Sequence, residues 1–306
     1  MILSCGEALI DMLPRESRDG EACFAPYPGG AVFNTAVALG RLGAPSGFLS
    51  GLSRDMFGDQ LLDALGASKV DASLCVRSDR PCTLAFVRLV NGQASYAFYD
   101  EATAGRMLSV DDLPAIPDST TAMFFGGIYL AKEPAGASYE ALMTREAGRR
   151  VTMLDPNIRP GFITDPDAYR ARVARMLALS DIVKLSDEDL HWLEGAGDLT
   201  ALAQGLLAKG PKLVLITEGA RGATAHMARG SVHVASQRVS VVDTVGAGDT
   251  FNAGVLAALH RSGKLSKAAI AALSDDDLRE ALTLGVRAAA VTVSRAGANP
   301  PWASEL

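Results

Sequence analysis

A carboxylate placed just beyond a glycine-rich turn is the feature of this sequence with the clearest chemical use. In residues 240–260, SVVDTVGAGDTFNAGVLAALH, a β-branched run reaches Asp243. Gly246, Ala247 and Gly248 then make a turn, and an apolar helical pattern begins at Phe251 and Val255. Gly246 and Gly248 permit a tight turn and close approach of a ligand, and the first N–H groups of the helix that follows have no intrahelical partners. Such a turn is an anion site. Asp249 falls in the first helical turn, where it would repel a passively held phosphate but can take a proton from a nucleophile attacking that phosphate. The same residues also suit a capped helix in which Asp249 merely satisfies the N-terminus.

Other polar groups stand at the ends of apolar runs. In residues 29–43, GGAVFNTAVALGRLG, the pair Gly29 and Gly30 opens a second helical pattern that carries Asn34. An amide that both donates and accepts suits a polyol, and equally a buried structural bond. Residues 155–160, DPNIRP, place Arg159 where it can clamp phosphate oxygens or pair with Asp155 across the loop. Lys184 precedes Ser186 and Asp189, which read locally as a helix cap and an imperfect capping box. Thr217, Gly219 and Gly222 follow another apolar run, and the two glycines also suit a tight hairpin. Arg88 and Arg106 can reach an acidic or phosphorylated acceptor or serve as solvated surface charges.

The elements that must position these groups follow from periodicity. Residues 1–5 and 46–52 read as strands, and 83–90 and 94–99 as a hairpin about Asn91-Gly92, with Tyr96 and Phe98 suited to covering a small ligand. Short apolar runs at 122–125, 151–154, 182–185 and 213–217 alternate with helical stretches, the pattern of parallel strands covered on both faces. Ligands gather outside the carboxyl ends of such strands. At 306 residues, 48% hydrophobic and 21% charged, the chain can bury a large core. A net charge of -6 without a basic run argues against a nucleic-acid partner. Four scattered cysteines, no basic-then-apolar leader and no stretch of the roughly 20 apolar residues needed to cross a bilayer set the expectation of a cytoplasmic protein without a membrane partner. The four histidines show no HExxH or compact ligand spacing, and GxGxxG after the first strand, GxxxxGK[ST] and GxSxG are all absent.

Residues 243–251, DTVGAGDTF, resemble the C-terminal signature of the ribokinase-like (PfkB) carbohydrate kinases, and residues 29–43 resemble the N-terminal one. The DPNIR segment matches the D-P-N-x-R pattern of fructokinase-like members. The resemblance runs from Gly6 to about Pro300. It implies a three-layer α/β/α fold with a mostly parallel central sheet, one domain over 1–306, and a small inserted β-stranded lid from segments near 12–28 and 81–105. It implies ATP-dependent phosphorylation of a sugar hydroxyl, D-fructose first, with 2-keto-3-deoxygluconate the near alternative. A ribose or nucleoside kinase, or a non-catalytic sugar or nucleotide sensor, remains a further reading.

Carried over residue by residue, the resemblance makes Asp249 the catalytic base. The N–H groups of Ala247, Gly248 and Asp249, in the turn begun by Gly246, form the anion hole, and Arg159 touches phosphate. Asp11, Gly29, Gly30 and Asn34 approach the sugar; Arg88, Phe98 and Arg106 are added as sugar contacts from their place in the lid region, not from a family motif. Lys184, Ser186, Thr217, Gly219, Gly222 and Gly248 lie along the nucleotide. This chain departs from the family pattern with Ser186 for Asn and Asp189 for Glu. The shorter Asp189 would reach magnesium through water. ATP and Mg2+ are the implied cofactors, Asp243 and Ser294 flank a loop suited to K+, and lid strands in the family can pair across a homodimer.

Overall fold

The computed structural model describes residues 1–90 and 93–306, leaving aside the side chains of 88–90 and 93–96. Strand β1 (Ile2–Cys5) is buried throughout and leads past Gly6 into the antiparallel pair β2 (Leu9–Glu16) and β3 (Ala22–Gly29). Helix α1 (Ala31–Arg41), β4 (Ser46–Leu49), β5 (Gly51–Ser53), α2 (Met56–Ala67), β6 (Val70–Asp71) and β7 (Val76–Ser78) follow. The pair β8 (Leu84–Val90) and β9 (Gln93–Tyr99) completes the first part of the chain. Strands and helices then alternate through β10 (Ala122–Gly126), α3 (Ala135–Glu146), β11 (Val151–Asp155), α4 (Pro166–Leu179), β12 (Ile182–Ser186), α5 (Asp187–Glu194), α6 (Leu199–Leu207) and β13 (Leu213–Thr217). A hairpin of β14 (Ala223–Met227) and β15 (Gly230–Val234) precedes α7 (Ala247–Arg261), α8 (Lys267–Ala271) and α9 (Asp275–Val293).

The central sheet has the order β15-β14-β13-β12-β11-β10-β1-β4-β6. It is parallel from β13 to β6, and β14 and β15 run antiparallel at one edge. Alternate residues feed two separate cores, because successive side chains in a strand point to opposite faces. Ile2 and Phe124 join Phe33, Leu256 and Leu282 on one face. Leu3 and Phe125 join Tyr139, Val173 and Leu206 on the other. Burial on both faces is why these strands read as unbroken apolar runs.

A second sheet, β3-β2-β8-β9, forms the lid. Leu9 and Ile10 anchor it in the core, and β2 becomes exposed by Arg15 and Glu16 as it leaves the main body. The Asn91-Gly92 turn lies outside the described residues, but the β8 and β9 pairing on either side of it is antiparallel, as the hairpin signal implies. One expectation needs correction. Residues 46–52 form two strands, β4 in the central sheet and β5 paired to β7, because the chain leaves the sheet at Ser50. The β-branched run before Asp243 makes no strand. Its Val242 and Asp243 N–H groups donate to the Val293 carbonyl at the end of α9 in place of a ladder. Among the described residues no helix is long and apolar enough to cross a membrane.

Helices α7 and α9 approach closely at two glycines. A Cβ on Gly254 would lie 2.6 Å from the Gly285 Cα and 2.8 Å from its nitrogen, both rigid backbone atoms. Gly254→Ala should therefore destabilise the fold by about 1–3 kcal/mol through overpacking. Urea unfolding measures it, and an unchanged midpoint would show that the two helices can separate without cost.

Candidate active site

A cleft of about 840 Å³ opens at the carboxyl ends of β11, β12 and β13, bounded by the lid and by the N-termini of α1 and α7. The α7 turn is fixed by Gly246, which sits at φ 79°, a left-handed conformation that favours glycine. A Cβ there would also press to 2.8 Å from the Ala298 Cβ. A Cβ on Gly248 would lie 3.1 Å from Lys184 Nζ, so an ammonium stands beside the turn.

Asp249 is 8% exposed, in the first turn of α7. Its Oδ2 accepts from Asn34 Nδ2 at 2.9 Å, and its carbonyl accepts from Thr35 Oγ1 at 3.2 Å. Burial pushes the carboxyl up to about 7, with Asp155 adding to the shift while Asn34, Lys184 and Arg159 oppose it. Asn34 is thus both buried and turned to the acid. The two readings of Asn34 are not alternatives here: its structural bond ends in the cleft.

Opposite stands a buried cation. Lys184 Nζ donates to Asp155 Oδ2 at 3.0 Å, and the same oxygen accepts from Asn252 Nδ2 at 2.7 Å. Burial works against the Lys184 charge, but the Asp155 and Asp189 carboxylates outweigh it and hold the ammonium above its ordinary value. Arg159 has no ion pair with Asp155 among the described residues. Its Nη1 donates to the neighbouring Ile158 carbonyl, and the residue lines the cleft. Ser186 caps α5 and Asp189 completes the capping box. Asp189 Oδ1 also accepts from Ile158 N at 3.1 Å, so both carboxylate oxygens meet backbone N–H groups, and burial raises the carboxyl above its usual range. Among the described residues no group of three or more His, Cys, Asp or Glu could hold a metal ion.

A second, apolar chamber of about 690 Å³ adjoins the cleft. Thr217, Gly219, Ala247 and Gly248 belong to both walls, while Val241, Phe251, Val286 and Val293 line the chamber alone. Gly222 lies on this side, at φ 109° and so close to Val234 that a side chain would collide with its carbonyl. The hairpin reading of these glycines therefore holds for the backbone, and the same turn supplies a wall.

At the lid end, Asp11 and Gly30 line the cleft, and burial raises the Asp11 carboxyl to about 6. Gly29 leaves room for that carboxyl, since a side chain there would strike Asp11 Oδ2. Phe98 lies edge-on to Phe162 at 4.0 Å, bringing lid strand β9 against the loop after β11. Arg106 pairs with Asp100 at 3.3 Å and is not among the cleft-lining residues, and the Arg88 side chain lies outside the described residues. Asp243 accepts from Val245 N at 3.0 Å and Gly297 N at 2.9 Å, joining the turn to the loop after α9. Ser294 Oγ donates to the Val291 carbonyl at 2.7 Å. Sequence reasoning passed over Glu7 and Asn252. Both are buried polar residues, and an acid inside the run GEALI is the signal that could have found the first.

The profile of the pfkB family carbohydrate kinases matches residues 1–305. The chain belongs to that family. The fructokinase of Rhizobium leguminosarum bv. trifolii is 58% identical over 279 residues, 91% of this chain and 86% of its own. A fructokinase from Xylella fastidiosa with bound ATP has a TM-score of 0.87 at 30% identity, covering 97% of this chain and 93% of that one. A double mutant of Vibrio cholerae fructokinase with fructose, ADP and potassium ion has a TM-score of 0.85 at 25% identity, with the same coverage of 97% and 93%. ATP-dependent phosphorylation of a sugar is the activity this membership supports.

The raised carboxyl of Asp249 has a consequence for stability. Between its ordinary value of 3.8 and about 7 the folded protein holds a proton that the unfolded chain has released, so this contribution is full below the lower value and is lost as pH rises through the upper one. Asp249→Asn should therefore gain stability relative to wild type as pH rises from 4 to 8. Urea unfolding at pH 5, 7 and 8 checks this, and a difference flat across pH would contradict it.

Proposed function

We propose that the chain transfers the terminal phosphoryl group of ATP to D-fructose, giving D-fructose 6-phosphate and ADP. The observation that carries this reading is the division of the cleft. Asp11 on lid strand β2 and Asn34 on α1 present an acceptor and an amide on one side, Lys184, Arg159 and the α7 N–H groups present positive charge on the other, and Asp249, bonded to Asn34, stands between them. A neutral polyol suits the first and a polyphosphate the second. The relatives with bound fructose, ADP or ATP support the same pairing. A sugar acid such as 2-keto-3-deoxygluconate would bring its carboxylate toward carboxyls, and Arg106, which could have received it, is held by Asp100.

Asp11, Gly30 and Asn34 hold the sugar, with Gly29 leaving the space and Phe98 closing over it from the lid. Asp249 accepts the proton of the attacking hydroxyl as the new O–P bond forms and the bond from phosphorus to the leaving ADP oxygen breaks. A carboxyl near 7 holds that proton more readily than an exposed aspartate would. The N–H groups of Ala247, Gly248 and Asp249, following Gly246, face the oxygens on which charge develops, and loss of one such donor typically costs about 3 kcal/mol. Lys184 and Arg159 balance the phosphate charge, Ser186 borders it, and Thr217, Gly219 and Gly222 border the nucleotide as its base enters the apolar chamber. Magnesium, bound with ATP, supplies further neutralisation of the phosphates. Asp189, with both oxygens engaged, would meet it through water.

The loop joined by Asp243 and containing Ser294 is the proposed K+ site, supported by the potassium-bound relative. Residues 1–306 act as one kinase domain, with lid segments 12–28 and 81–105 keeping water from the phosphoryl group. Exposed Phe24 and Tyr99 on the lid are the proposed contact in a homodimer.

ADP release with Mg2+ and K+ tests the reading against D-fructose, 2-keto-3-deoxygluconate, D-ribose, fructose 6-phosphate and nucleosides. Fructose should give the highest kcat/KM, and a higher value for the keto acid would move the assignment to that substrate. Asp249→Asn should lower kcat by about 10²–10⁴-fold while leaving ADP affinity unchanged by calorimetry. Full turnover in the variant would remove Asp249 as the base.

A further inference from the structure

Glu7 is a buried carboxyl to which phosphoryl transfer, as described, gives no task. It follows β1 and Gly6, is 1% exposed and borders the cleft. Its Oε1 accepts the Ala31 N–H at 2.7 Å, the first N–H of α1, whose N-cap Gly30 offers no side chain. Its Oε2 has no hydrogen-bond partner among the described residues. Glycines make the space for it: a side chain on Gly127 would collide with this carboxyl, and a Cβ on Gly30 would come within 3.1 Å of Glu7 Cγ.

The path from Glu7 to the reacting centre is one helical turn. Asn34 N donates to the Gly30 carbonyl at 2.8 Å, closing the first bond of α1, and the Asn34 amide donates to Asp249 at 2.9 Å. The first turn of α1 is therefore gripped by one acid at its backbone and presents its side chain to another. A carboxylate at a helix N-terminus is favourable, but a second buried carboxylate nearby works against it.

We propose that Glu7 is a positioning residue for the base: through Ala31 it fixes the turn that aims Asn34 at Asp249, and its charge opposes the charge on Asp249. This rests on the assignment of Asp249 as the proton acceptor. Both carboxyls are pushed up to about 7, burial being the main cause in each, and Asp249 adds to the shift at Glu7. Such acids titrate as a pair. The other groups facing Glu7 are the phenols of Tyr129, Tyr139 and Tyr169, which burial pushes upward and keeps neutral. Asp249 also faces Asp155, Lys184 and Arg159, whose charges stay in place when Glu7 is changed.

Glu7→Gln keeps an oxygen for the Ala31 N–H and removes the charge. The expected result is that the Asp249 titration, followed by 13C-carboxyl NMR in the unliganded protein, moves to lower pH, and that the acid limb of kcat moves with it. Glu7→Ala removes the acceptor as well, and should lower kcat/KM for the sugar about tenfold or more while the KM for ATP holds. An Asp249 titration unmoved by Glu7→Gln, or wild-type kcat and sugar KM in Glu7→Ala, would overturn the proposal. A shifted titration in a protein that phosphorylates no sugar on the panel would support the pairing and remove the kinase reading instead.

Discussion

The hydrogen bond from Asn34 to Asp249 joins residues 215 positions apart and holds together the two helices whose N-termini make the cleft. Neither helix can be placed without the other. α1 begins at a glycine pair, α7 at another, and each offers N–H groups that have no partner within the helix. A polar bond between two such ends costs little only if the helices pack closely, and both are rich in small buried residues: Ala36 and Ala38 on α1, Ala253 and Ala257 on α7. The Thr35 hydroxyl adds a second tie, to the Asp249 backbone, so the carboxyl is located by main chain as well as by side chain.

That junction also divides the charges. Asp249 lies in a helix turn whose N–H groups favour an anion, yet the carboxyl itself is buried and disfavours its own ionisation. Lys184, three strands away from β1 in the sheet, is aimed at the same turn by Asp155, and Asp155 is aimed by Asn252, one helical turn after Asp249. Helix α7 therefore controls both an acid and, indirectly, the cation across from it. A buried ion pair of this kind contributes little net stability, because the desolvation of two charges offsets their attraction. Its value here is orientation. An ammonium held by Asp155 keeps its charge beside the α7 turn at Gly248.

The parts of the site that could be read from sequence are those held by backbone. The glycine turns, the strand ends and the capping of α5 by Ser186 follow from local rules that need no partner from elsewhere. The central sheet was legible for the same reason, since strands covered on both faces must be apolar at every position. What local rules could not supply were the pairings. Arg159 does not turn to Asp155 because both oxygens of that carboxylate are engaged, Oδ2 by Lys184 and Asn252 from distant elements and Oδ1 by the Asn157 N–H. Glu7 escaped notice because one charged residue in an apolar run looks like a strand edge until the helix it caps is seen above it. Val239, Val241 and Val242 are likewise placed by distant partners. Their β-branched pattern suits a strand, but here Val239 and Val241 line a chamber, while the Val242 backbone bonds to the end of α9.

Asp189 shows how a departure from the family pattern can be absorbed. A glutamate at this position would extend one methylene farther from α5, while an aspartate stays close to the backbone it caps. Its two oxygens are taken up by Ser186 N at the helix start and by Ile158 N in the loop after β11. The shorter acid thus ties two strand ends together, fixing the loop that carries Arg159. The same engagement leaves few free lone pairs pointing at the cleft. A cation accompanying the phosphates would then take its ligands mainly from them and from water, in keeping with the reluctance of magnesium to shed its hydration shell. The shorter acid thus adds rigidity to the loop that carries Arg159 at the edge of the cleft.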